Sequence, residues 1–159
     1  VPEALDKILE RSKEMVKERL KRHPEKEKNI LGYFLYAGCA YSYVYPELGF
    51  GMRDIDVEVL FSKDWFTNTR CAFTRYCNID EFGKPEYFNG NTRWLDLMWN
   101  SLHKETGNLK QDLLIYMNEM RFKSDRWATM SQRPFINLET KGIVYEPNWI
   151  KKIKEKLKI

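Results

Sequence analysis

The sequence predicts an α+β fold, with α/β-type mixing: a small mixed β-sheet with flanking helices, built as one domain over residues 1–159. Three observations point there. The segment DIDVEVLF (54–61) alternates acidic and apolar residues with the period of two that puts one set on each face of a strand. The two ends, about 2–22 and 148–158, carry apolar residues at helical spacing among lysines and glutamates. A hydrophobic content of 43% over 159 residues gives one sizeable core and is short for two.

Taken in order, Leu5, Ile8, Leu9, Met15, Val16 and Leu20 form one stripe of an N-terminal helix. His23-Pro24 ends it, because proline disfavours helix in the residue before it. ILGYFLYAGCAY (30–41) reads as a buried strand entering a tight turn, and 43–53, with Pro46, Gly49 and Gly51, as a loop. In 54–61, Ile55, Val57, Val59 and Phe61 share one strand face and Asp54, Asp56 and Glu58 the other. SKDWFTNTRCAFTRYC (62–77) predicts a helix capped by Ser62 or Asp64, although its threonines and aromatics also suit a strand. FGKPEYFNGN (82–91) is a hairpin or a long loop, and TRWLDLMWNS (92–101) a strand carrying Asp96. Leu109, Leu113, Tyr116, Met117 and Met120 mark a helix. PFINL and GIVYEP around Glu139-Thr140-Lys141 predict a hairpin, and NWIKKIKEKLKI a final helix with Trp149, Ile150, Ile153 and Leu157 available for packing.

Charge and cysteine usage exclude several classes. No apolar run approaches the roughly 18–20 residues that span a bilayer, so no membrane partner is expected. Three cysteines, an odd number, argue against a disulfide framework and for a reducing, cytoplasmic setting. Neither His23 nor His103 stands at zinc-ligand spacing from Cys71 and Cys77. The net charge of +4 sits at the ends, around a middle (29–147) with 13 basic and 15 acidic side chains. That pattern is not a nucleic-acid-binding stripe.

The chemistry is concentrated in the acids. Asp54 and Asp56 stand at i and i+2 of a strand, pointing the same way roughly 6.5–7 Å apart. Magnesium takes one or two carboxylates plus water and substrate phosphates. A third carboxylate from another strand would complete a two-metal site, and Asp96, an acid inside an apolar strand, is the candidate. The plainer reading makes Asp54, Asp56 and Glu58 the wet face of an edge strand, yet aspartate is depleted in strands and here appears twice. Glu58 lies one pleat beyond the expected metal position.

A strand ending in Ala37-Gly38-Cys39, a loop, then an acid-hydrophobic-acid-hydrophobic strand and a later strand acid in RWLDLMW resembles the nucleotidyltransferase superfamily. The tail QRPFINLETKGIVYEP resembles the closing hairpin of its small stand-alone members. The resemblance runs from about residue 5 to 158 and implies a DNA polymerase beta-like core. It implies that Asp54 and Asp56 bind two magnesium ions and a nucleoside triphosphate such as ATP, with Asp96 beside the ion that activates the attacking hydroxyl. Gly38 would let the backbone approach the triphosphate, and position 39 would offer it a hydrogen bond. The implied reaction transfers a nucleoside monophosphate to a hydroxyl acceptor of unknown class, whether RNA, protein or small molecule.

The chain departs from that pattern at Cys39, where glycine or serine is usual, and at Ala40-Tyr41-Ser42-Tyr43, where an arginine and a second glycine are common. A thiol is a weak donor, so the departures fall on phosphate cradling and leave the carboxylates intact. No histidine is placed to activate Cys39 as a nucleophile. Arg53 and Tyr41 are nucleotide-binding candidates, one beside the acids and one beside the glycine turn. Arg121, Lys123, Arg126 and Arg133 could face phosphates or simply be solvated charges. The competing function is a catalytically eroded nucleotide-binding or partner-binding module of toxin–antitoxin type, with a small helical protein as partner.

Overall fold

The computed structural model describes residues 2–36, 38–44, 54–62, 71–78, 92–102, 104–121, 135–145 and 148–158. Its elements run α1 (Pro2–Arg19), β1 (Ile30–Tyr36), α2 (Gly38–Val44), β2 (Ile55–Phe61), β3 (Cys71–Asn78), β4 (Thr92–Ser101), α3 (Leu109–Arg121), β5 (Phe135–Asn137), β6 (Ile143–Tyr145) and α4 (Asn148–Leu157). A 3-10 helix, Pro24–Asn29, joins α1 to β1.

The strands form one mixed sheet in the order β3-β4-β2-β1-β5-β6. β2 lies inside it, antiparallel to β1 and parallel to β4, while β3 and β5 extend it antiparallel on either side. Period-two alternation then sorts the core into two layers. Ile55, Val57, Val59 and Phe61 pack with Leu95, Leu97 and Trp99 under α1, whose Leu5, Ile8 and Val16 are buried against them. On the other face, Phe34, Leu60 and Met98 pack with Leu113 and Tyr116 of α3 and with Phe135. The rings of Phe34 and Phe135 stack there at 5.2 Å.

Local chemistry sets the element ends. Asn108 caps α3 by accepting from the Gln111 N–H at 3.1 Å, as its side chain suits. Asp112, 2% exposed, accepts from the Thr106 N–H and from the Thr106 hydroxyl at 2.7 Å, fixing the chain that enters the helix. No helix of the described residues is long and apolar enough to cross a membrane.

Four expectations need correction. The chain at 71–78 is a strand, not the second half of a helix; its aromatic, threonine-bearing alternation pairs with β4 from Cys71↔Trp99 to Asn78↔Thr92. The glycine after β1 opens a seven-residue helix, α2, and not a tight turn. The acid face of β2 is not the wet side of an edge strand, because β2 is flanked by β1 and β4 and Glu58 is fully buried. Leu157 does not pack; it is 56% exposed at the last turn of α4, where Ile150 is the buried anchor. The proposed cap Asp64, most of the 43–53 loop and the 82–91 segment lie outside the described residues.

Candidate acidic site on the central strands

The parallel register of β2 and β4 pairs Asp56 with Asp96 directly. Register partners on adjacent strands point to the same face, about 4.8 Å apart at the backbone. The row continues to Tyr36 of β1 on one side and Thr74 of β3 on the other. Asp56 and Asp96 are both half-buried, as is Asp54, which stands just before β2 begins. Like charges set side by side across two strands repel. A cation bridging them, whether a metal ion or a basic side chain, turns that repulsion into attraction.

The donor set limits how a cation could be held. Among the described residues no three Asp, Glu, His or Cys side chains are gathered closely enough to hold a metal ion. The unit assembled by the sheet is therefore a pair, with Asp54 two residues upstream. Magnesium is commonly held by one or two carboxylates while water and substrate phosphates complete its octahedron. A pair of carboxylates fits an ion whose remaining ligands are water or a bound substrate better than an ion caged by protein alone.

Cys39 occupies a position with a visible structural task. It is 1% exposed, its thiol donates to the Tyr36 carbonyl at 3.0 Å, and its sulfur accepts from the Asp56 N–H at 3.3 Å. Tyr36 and Asp56 are themselves register partners, so the sulfur clips α2 onto the start of the acid strand. Gly38 is the first residue of α2 and Tyr41 lies within it, while Arg53 lies outside the described residues, with Lys123, Arg126 and Arg133.

Sequence reasoning placed Glu58 on the acid face but missed its burial and its partners. Glu58, one pleat along β2 from Asp56, accepts from the Asn100 side-chain amide at 2.6 Å and from the Tyr116 hydroxyl. Asn100 stands two same-face positions beyond Asp96 on β4, and Tyr116 descends from α3. A buried carboxylate needs such donors, since desolvation otherwise penalises it heavily. The alternation Asp-x-Asp-x-Glu was the available signal; what could not be read was that an aromatic hydroxyl from α3 closes over its third acid. Beside it, the Tyr36 hydroxyl donates to the Met98 sulfur at 2.8 Å.

No protein-family model, no curated protein and no solved structure matches this chain.

Proposed function

We propose that this chain is a magnesium-dependent nucleotidyltransferase that moves a nucleoside monophosphate from a nucleoside triphosphate to a hydroxyl acceptor. The observation that supports this reading is the direct pairing of Asp56 with Asp96 on the two parallel central strands. Asp56 and Asp96 would together hold magnesium that comes with the triphosphate. When bound, such ions neutralise phosphate charge and lower the pKa of an acceptor hydroxyl. The acceptor oxygen attacks the α phosphorus in line, the bond to pyrophosphate breaks, and the acceptor proton leaves to solvent or to a site carboxylate.

The chain's own contribution is position. Both aspartates ride on strands held from two sides, so little reorganisation accompanies the reaction. The Cys39 clip holds the first turn of α2 against the acid strand. The direct test supplies each of the four ribonucleoside triphosphates with magnesium and measures pyrophosphate release, with Asp56→Asn as control. Release by the parent that is lost in the variant supports the reading; release equal in both contradicts it.

The inward Cys39 thiol favours one second reading. A sulfur committed to the backbone of Tyr36 and Asp56 offers no strong donor to a phosphate. The site would then bind magnesium-nucleotide, or a helical protein partner, without turnover. Tight nucleotide binding with no pyrophosphate release under any nucleotide would mark that outcome.

A further inference from the structure

On the sheet face opposite Asp56 and Asp96, a groove of about 490 Å³ opens between α1, the 3-10 helix and the β5–β6 turn. A volume of that order is in the range of small-ligand sites. Its rim carries Glu10, Glu14, Glu27 and Glu139 against Lys13 and Lys17, so it is net negative on a chain whose formal charge is +4. Glu14 is already bound to Arg11 at 2.9 Å. The floor is Tyr33, only 5% exposed, whose hydroxyl makes no hydrogen bond among the described residues although its ring lines the groove. Burial, then the negative charges of Glu27 and Glu139, hold that hydroxyl protonated well above the ordinary tyrosine range.

The charge of the rim favours one ligand class. Anions meet a net negative rim. Among the described residues no three acidic side chains are gathered closely enough to share one metal ion, so the carboxylates of the rim present their charge spread out along the groove. That spread of negative charge favours a ligand with several separated positive charges. The fold already shows one such contact, since the Lys13 ammonium sits 5.9 Å from the centre of the Tyr33 ring. We propose that this groove binds a linear polyamine, its spaced ammonium groups lying against Glu10, Glu27 and Glu139 and one N–H donating to the Tyr33 hydroxyl. Lys13 is the resident cation that such a ligand displaces from the ring.

The test is calorimetric titration of the full chain with spermidine. The expected result is saturable one-to-one binding, weakened about tenfold or more in Glu27→Gln/Glu139→Gln through lost charge-assisted hydrogen bonds. Tyr33→Phe, which changes no charge, weakens it by about three- to tenfold, and Lys13→Gln strengthens it. Glu18→Gln, an exposed α1 carboxylate outside the groove, leaves it unchanged. Absence of saturable binding, parental affinity in Tyr33→Phe, or an equal loss in Glu18→Gln would overturn the proposal. So would a tri-arginine peptide that binds more tightly than spermidine, since the groove would then belong to a basic protein segment.

Discussion

Glu58 shows how much one residue can reveal about the site above it. A fully buried carboxylate is a poor choice for stability alone, because a well-packed apolar side chain of similar volume often does as well or better. Its cost is offset by the Asn100 amide and the Tyr116 hydroxyl. Removing one donor should therefore hurt more than removing the whole arrangement. Tyr116→Phe is expected to destabilise the chain by about 1–3 kcal/mol in denaturant unfolding, and much less in a Glu58→Leu background. Equal losses in both backgrounds would mean that the contact carries no coupling. A second prediction concerns pH. The folded-state pKa of Tyr33 is raised above its unfolded value near 10, so its contribution to stability is full below about pH 10 and is lost as pH rises from there toward the folded value. Tyr33→Phe should flatten the fall in melting temperature on the alkaline side of pH 10. Asp56 and Asp96 were legible as single letters because aspartate is out of place in strands. Glu58 was legible as a member of that face but not as a buried group, since its partners come from residues 42 and 58 positions away.

At the scale of elements, period-two alternation marked β2, apolar runs marked β1 and β4, and helical spacing marked α1, α3 and α4. The chain at 71–78 was harder to read. Threonines and aromatics serve a strand or a partly buried helix, and pairing with β4 decides between them. α2 was hidden for a different reason. Its seven residues are too short for a periodic signal, and its inward Cys39 and Tyr43 look like the end of the preceding apolar run. β1 carries one constraint that sequence alone left open. A Cβ on Gly32 would lie 2.7 Å from the Phe34 ring, next to a register shift in the β1–β2 pairing. Phe34 cannot withdraw, being fully buried and stacked on Phe135. Gly32→Ala should therefore lower stability by about 1–3 kcal/mol through overpacking, with loss near zero contradicting a rigid Phe34.

Over the whole molecule, the decisive fact is the order of strands. No local pattern announces that β4, some forty residues beyond β2, lies parallel to it with Asp56 against Asp96. Antiparallel neighbours on either side and packed layers on both faces then hold that pair in the interior of the sheet. The sequence contained both acids, but only the tertiary register brings them to one row. Their pairing is the physical basis of the proposed function, and it can be measured without knowing the acceptor. Titration of the chain with a non-hydrolysable nucleoside triphosphate should give binding that requires magnesium and that falls by at least about tenfold in either Asp56→Asn or Asp96→Asn, the loss of one charge-assisted ligand. Binding of equal strength without magnesium, or unchanged in both variants while each remains folded, would contradict it.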